Sequence, residues 1–406
     1  MEPELGVWVL PELRAAAAVE DWPTLLKAWR KATRSNQSQL GALVGLAQPD
    51  ISAIENRRRA VTSVEVRQRI IDGLGIPAEL VGGTSAELPL PSLVLPGLVA
   101  EPESERLWQV TSSGMRLDSP SLAAMERLLA EHRRAEDTLG SRVMSTVVAT
   151  QFEAVAGLYE QARGPLADRL VKVMAEYAQF LAWMAQDQDD ARLARAWFDR
   201  SYDWALESGY SDMAATTMSM KAHLAWSQGN GRRTVRLGEA AAATAGASDA
   251  TRAMAVQMAG RGHALDGDGD AAYRRLDEAQ SMIEKATDAP PWLYFYDEPW
   301  FAAQRGMADL HLRDWPKAIE NLTVGLAGFA AAFRRDRAWY GACLAHAYAG
   351  AGEAEGALTT AKSILVDASE IGRPHAWGEL HKVGSLLLRR GAHEGRVLVD
   401  MLAELD

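Results

Sequence analysis

One cysteine, Cys343, stands among 406 residues. No intrachain disulfide can form, which excludes a disulfide scaffold and makes a reducing cytoplasm the expected setting. No run of about 18 apolar residues occurs, so neither a membrane span nor a membrane partner is expected. The opening segment, MEPELGVWVLPELRAAAAVED, is acidic and carries only Arg14 as a cation. A secretory signal needs a positive stretch ahead of its apolar core, so export is not expected either. Positive charge is scarce overall, with 43 basic against 54 acidic residues and a net charge of −11. That balance excludes a surface that coats nucleic acid or anionic lipid throughout, and any nucleic-acid contact has to be local.

Catalytic signatures are missing too. The eight histidines, His132, His223, His263, His311, His346, His375, His381 and His393, lack the close spacing that metal ligation on a helix requires. No GxSxG, P-loop or dinucleotide fingerprint is found, and GDGD at 267–270 reads as a turn. Cys343 lies in an alanine-rich stretch and reads as a small core residue. No metal, no cofactor and no enzymatic activity are expected. A hydrolase hidden in the C-terminal body would need convergent polar residues that the sequence does not display.

What the chain does have is ample apolar material, 48% of its residues, and a length that suggests two or three domains. Residues 1–21 form an N-terminal extension. Between 22 and 81, nine basic residues face five acidic ones, a net of +4 that leaves −15 for the remainder. A small nucleic-acid module attached to an acidic body shows this asymmetry. Residues 82–119 hold prolines 89, 91, 96 and 102 with Gly82 and Gly83, and read as a linker. From 120 to 406 apolar residues recur three and four apart, as in Leu122, Met125, Leu128 and Leu129, so this body reads as helical. Strand signals are nearly absent, and the chain is expected to be all-α.

The most informative local pattern is QSQLGALVGLAQPDISAIENRRR, from Gln37 to Arg59. It reads as a short helix over 38–44, a turn at Gly45, and a second helix starting near Gln48 or Pro49. Proline suits the first helical turn, where its missing N–H would be unpaired, and Asp50 complements the positive helix end. Leu40, Leu43, Val44, Ile51 and Ile54 form the expected buried stripe. The pattern resembles the helix-turn-helix of the Cro/C1-type (XRE) repressors, matched here at Gln37, Gly41, Gly45, Gln48, Ile51, Ser52, Ala53, Ile54, Glu55 and Asn56. The resemblance implies a recognition helix whose N-terminal side chains enter the major groove. Gln48 is then the candidate base reader, since its amide pairs with adenine N6 and N7. Gln37 and Asn56 are the implied phosphate clamps, and Arg30 with Glu55 the implied scaffold pair between helices. Arg57, Arg58, Arg59, Lys31 and Arg34 supply the salt-dependent attraction. Pro49, Asp50, Ser52 and Ala53 complete the DNA-facing set, with the acid at 50 either accepting from cytosine N4 or repelling phosphate. Helix capping by Gln48 and a plain solvated loop at 57–59 are the alternatives.

The body repeats itself. Small residues stand at Ala182, Ala222, Gly260, Gly306, Ala345 and Gly384, and twelve positions after the first five come Ala194, Thr234, Ala272, Ala318 and Ala357. Turn material lies between, as in Gly229-Asn230-Gly231, Gly267-Asp268-Gly269, Arg313-Asp314 and Gly350-Ala351-Gly352. This register is similar to that of tetratricopeptide repeats, at a longer period. The fold class expected is therefore an N-terminal helix-turn-helix domain joined to a C-terminal tetratricopeptide-like α-solenoid. In that register Trp183, Gln186, His223, Trp226, Arg261, Met307 and His346 face the groove, where they either bind an effector or pack between helices. The insertion at 286–300, rich in proline and aromatics and ending at Trp300, is either a lid over that groove or an internal brace.

An XRE-type head with such repeats resembles the peptide-responsive quorum-sensing regulators of Gram-positive bacteria and many actinobacterial regulators. The resemblance implies a cytoplasmic homodimer that binds a double-stranded DNA operator under control of a peptide or small-molecule effector. A protein-interaction adaptor or anti-repressor, with DNA binding secondary, is the alternative.

Overall fold

The computed structural model describes residues 13, 16–17, 21–33, 35–59, 61, 64–76, 80, 106–107, 110–111, 116–371 and 374–405. Among these no strand occurs, and the chain divides into two compact units, Met1–Leu88 and Pro89–Asp406.

Among the described residues the first unit shows α1 (Trp22–Thr33), α2 (Gln37–Val44), α3 (Gln48–Glu55) and α4 (Val64–Leu74). Asn36 caps α2 by accepting from the Gln39 backbone N–H, and the Gln39 side chain returns the bond to Asn36. Those two bonds satisfy amides that a helix start leaves orphaned. Gly45 then ends α2 in the left-handed region at φ +64°, where a side chain would be strained. This turn sets α3 across α2, and Gly41 lets them close: a β-carbon there would lie 2.4 Å from the Leu46 carbonyl oxygen. Leu25, Leu26, Leu40, Val44, Ile51, Ile54, Ile70 and Leu74 are sealed in the core. Leu43 departs from the expected stripe and is 39% exposed, because it lies on the α2 face away from α3. Leu13, Ala16 and Ala17, read from sequence as extension, belong to this core.

The second unit is an array of seven helical hairpins. They are α5 (Ser119–Leu139) with α6 (Ser141–Ala156), α7 (Pro165–Asp187) with α8 (Ala191–Glu207), α9 (Ser211–Ser227) with α10 (Gly231–Ala242), and α11 (Asp249–Leu265) with α12 (Gly269–Lys285). The array continues with α13 (Glu298–Leu312) and α14 (Trp315–Gly328), α15 (Arg334–Ala351) and α16 (Ala354–Ile371), and α17 (Pro374–Arg389) and α18 (His393–Ala403). Four consecutive hairpin turns reuse one device. A left-handed residue (Asp189, Gly229, Gly267, Arg313) precedes an Asp or Asn (Asp190, Asn230, Asp268, Asp314) whose side chain caps the next helix.

The small-residue ladder lies where the two helices of each hairpin touch. Ala182, Ala222 and Ala345 are fully buried, as are Ala194, Thr234, Ala272, Ala318 and Ala357 across from them. At Gly306 the approach is closest, and a β-carbon would meet the Leu322 side chain at 2.6 Å. Leu107, Val110 and Leu117, within the segment read as linker, pack into the core beneath α5 to α7.

The array does not stay open. It curls until its first hairpin meets its sixth: Thr138 donates to the Ala332 carbonyl at 3.1 Å, and Arg335 on α15 pairs with Glu136 and Asp137 on α5. The chiral stacking of successive hairpins accumulates into this curvature. His375 on α17 donates to the Gln186 carbonyl of α7 at 3.1 Å, a second closure one hairpin further along. No helix among the described residues is long and apolar enough to cross a membrane.

Candidate functional site

In the first unit a chain of polar contacts runs outward from α1. Arg30 grips Glu55 through both carboxylate oxygens, Nε to Oε1 at 2.6 Å and Nη2 to Oε2 at 3.0 Å. Glu55 is 3% exposed, and burial pushes its carboxyl up. The hydrogen bonds from Arg30 and Gln37 outweigh burial and hold it below its ordinary range. Gln37 Nε2 donates to Glu55 Oε2 at 2.7 Å, and the Gln37 carbonyl oxygen accepts from Gln48 Nε2 at 2.7 Å. A buried ion pair thereby fixes the orientation of an exposed amide at the first turn of α3. Gln37, expected only to clamp phosphate, is placed as the link between the pair and Gln48, with its second amide N–H left over.

The expected scaffold pair is thus formed, and Gln48 is exposed at the helix start. Ala47, not Gln48, occupies the N-cap position and makes no side-chain cap, so the capping alternative does not describe Gln48. Pro49 is exposed beside it, while Ser52 and Ala53 are half-buried. Asp50 is ion-paired with Arg59, which cancels the repulsion an acid would present to phosphate. Asn56 donates to the Ser52 carbonyl at 2.8 Å and ends α3. Arg57, at φ +57°, reaches back to Asp21 at 2.9 Å. Lys31 and Arg58 are exposed and pair with no described residue. Arg34 lies outside the described residues. Of the expected cations, two are therefore engaged with acids and two project freely.

In the second unit the first helices of the hairpins enclose two adjoining cavities, of about 140 Å³ and about 230 Å³, which share Trp183, His223 and Trp339 in their walls. Six of the seven residues that the register turns to the groove do line them, Arg261 the smaller, Gln186, Trp226 and Met307 the larger, and Trp183 and His223 both, and Trp300 at the end of the insertion lines the smaller as well. His346 does not. It bonds Glu379 and stacks on Trp315, so it holds a wall residue of the larger cavity rather than forming the wall. The 286–300 insertion is a brace that also walls the smaller cavity. Trp292 Nε1 donates to Thr216 Oγ1 at 3.1 Å, and the Tyr294 hydroxyl donates to Asp137.

Sequence reasoning missed Gln257, Gln304, Arg335 and the Glu136–Asp137 pair. Gln304 is fully buried and accepts from both Arg261 Nη1 (2.8 Å) and Gln257 Nε2 (3.2 Å), while its amide donates to the Tyr340 hydroxyl. The guanidinium of Arg261 lies 3.7 Å from the centroid of the Trp226 ring. Burial lowers its pKa to about 10. His311, also in the wall of the larger cavity, is lowered to about 4 by burial and then by the Arg261 charge, and is neutral at pH 7. The unpartnered buried atoms are Ser219 Oγ, Gln257 Oε1 and Arg261 Nε in the wall of the smaller cavity, and Gln186 Oε1, Trp226 Nε1 and His311 Nε2 in that of the larger. A polar, aromatic interior of this kind is equipped to orient a small molecule. Among the described residues no group of three or more His, Cys, Asp or Glu is placed to hold a metal ion.

No family model matches the chain, and no curated protein matches it. Among solved structures, the crystal structure of a signal transduction ATPase with numerous domains bearing a tetratricopeptide repeat sensor, from Pyrococcus horikoshii, aligns with 98% of this chain at 13% identity and a TM-score of 0.41. The chain spans 63% of the length of that structure. A circular tandem repeat protein with novel repeat topology and enhanced subunit contact surfaces aligns over 99% of this chain and 88% of its own at 13% identity, with a TM-score of 0.20. The fold assignment rests on the helices and hairpins themselves.

Proposed function

We propose that the chain is a sequence-specific, dimeric DNA-binding transcriptional regulator whose hairpin array senses a small effector. The observation that carries this reading is the exposed Gln48 amide at the start of α3, held by Gln37 on the Arg30–Glu55 pair, in a unit that also exposes the cations Lys31 and Arg58. A helix presented N-terminus first, with a fixed amide and positive charge on the same small unit, meets the demands of major-groove readout and phosphate attraction. A single small head binds weakly, so two heads on a dimer reading paired half-sites complete the reading. The effector acts by favouring one arrangement of the dimer over another. An enclosed array suits an effector of small size better than an extended partner peptide, and this separates the reading from that of an adaptor.

Selection of genomic fragments by the purified full chain, followed by mobility shifts against non-specific competitor at rising salt, tests the proposal. A recurrent two-fold sequence bound above competitor is the expected result. Binding that is the same for every sequence, or absent, would sink it.

A further inference from the structure

The hairpin array holds a cation that its described residues leave without a counter-ion. Arg261, on α11, is 3% exposed, and no described carboxylate pairs with it. Its Nη1 is spent on Gln304, its face lies on Trp226, and its Nε has no partner. Taking a guanidinium out of water without an anion is costly, and in a folded chain that cost is ordinarily offset by a paired acid. The same chain does this at Arg30, whose Nε and Nη2 edge takes the Glu55 carboxylate side-on. Arg261 lines the smaller cavity together with Ser219 and Gln257, and the Arg261 Nε, the Ser219 hydroxyl and the Gln257 carbonyl oxygen are all buried without a partner.

We propose that this cavity is a binding site for a small monocarboxylate with a flat apolar body, its carboxylate seated on the Nε and Nη2 edge of Arg261. The flat body follows from the remaining wall, where Phe180, Trp183, Trp292, Trp300 and Trp339 present ring surfaces. The single charge follows from the α5–α15 end, where Glu136, Asp137 and Asp336 outnumber the arginine they pair with, Arg335, and the other arginine of that wall, Arg133, is already paired with Glu176. A second carboxylate on the ligand would meet that acid-rich end and be repelled. The Ser219 hydroxyl donates to the bound carboxylate, and Gln257 accepts from any N–H or O–H on the ligand body.

As an effector site this deepens the regulator reading and rests on it, but binding is measured without DNA, so the two fail separately. Full-length protein is titrated calorimetrically with 1-naphthylacetate, its neutral amide 1-naphthylacetamide, and naphthalene-2,6-dicarboxylate. The expected result is saturable binding of the monocarboxylate, at least about tenfold tighter than the amide and the dicarboxylate. Arg261→Met is expected to abolish the advantage of the acid over the amide. Equal affinity for acid and amide, unchanged affinity in Arg261→Met, or no saturable binding of the monocarboxylate would each overturn the proposal. The acid–amide comparison on the unaltered chain stands even if the variant does not fold. Operator binding without carboxylate binding would remove this inference alone, and the converse would remove only the regulator.

Discussion

Arg30 in the N-terminal helical unit and Arg261 in the hairpin array are both arginines drawn in from the surface, and the chain completes them in opposite ways. Arg30 is closed by Glu55, and the surplus hydrogen-bonding capacity of that carboxylate is passed outward through Gln37 to Gln48. Arg261 is held by a neutral amide and an aromatic face, and part of its capacity is left unmet among the described residues. A closed network rigidifies what it carries, whereas an open one is incomplete without a guest. On the proposed reading, the difference separates a scaffold that presents a base reader from a wall that takes a ligand.

Removing the two arginines should break or confirm this contrast, and it carries the largest expected effect. Arg30→Met leaves the Glu55 carboxylate buried without its cation. The variant should lose about 3 kcal/mol of local stability, the lower end for a broken buried pair because Arg30 itself is partly solvated. Arg261→Met removes a cation and strands no acid, so its loss should be close to zero. Amide exchange of peptides from α1 and α3 in the first variant, and from α11 in the second, reads the two costs separately. Comparable losses would mean that Arg261 is as structural as Arg30.

The next effect tests whether the array depends on close packing where the head depends on charge. Gly306→Ala places a methyl against Leu322, 2.6 Å from its side chain, and should cost about 2 kcal/mol by overpacking. Urea unfolding of the full chain would register it as a lower midpoint with an unchanged slope. Gln48→Ala should leave folding alone and lose about 1.5 kcal/mol of discrimination at one operator base pair. Competition binding against single-base operator variants measures this. A uniform loss on every sequence would place Gln48 among the phosphate contacts, as is expected of Arg58→Ala.

Much of this was legible in the sequence because it is local. The Gln37 to Asn56 pattern carries its own turn, caps and core, and the small-residue ladder follows from the helical period alone. Even here the expected stripe took in Leu43, which the crossing of α2 and α3 leaves outside. The closure of the array was not legible. Arg335 and Glu136 are 199 positions apart and meet only through curvature accumulated over five intervening steps. His346 was misread for a related reason. The register placed it inward, but Glu379, two helices on, captures its ring, and such a partner has no fixed spacing in sequence. Arg261 could be placed in the wall but not recognised as unpaired, since the lack of a neighbouring acid is a property of the assembled interior.

The smallest expected effect concerns a buried arginine of the array that has more acid than it needs. Arg335 meets Glu136, Asp137 and Asp336, and the Ser141 hydroxyl lies 2.6 Å from Glu136 and 2.9 Å from Asp187. That hydroxyl has one hydrogen for two carboxyl oxygens, so both bonds form only when one of the two carboxyls carries a proton. Burial, set against Arg335 and reinforced by the neighbouring acids, pushes Glu136 up, and Asp137 is pushed up to about 6 in the same way. The folded state therefore keeps protons that the unfolded chain has already released. The stability this contributes is full below the ordinary carboxylate range and is lost as pH rises through neutrality. His132 and His311, both lowered to about 4 by burial, act in the opposite sense, and the cost of keeping them neutral fades as pH rises through about 6.5. Between pH 6.5 and pH 8 the loss from the acids and the gain from the two histidines, each about 1 kcal/mol, largely offset one another. Glu136→Gln, neutral at every pH, removes the acid's share and leaves that of the histidines, so its thermal midpoint should change more favourably than that of the unaltered chain between the two values. An equal slope in the variant would show that the α5–α15 seam is fully ionised. In that event Arg335, like Arg30, would count as a cation closed by its own chain, and Arg261 would be left as the exception.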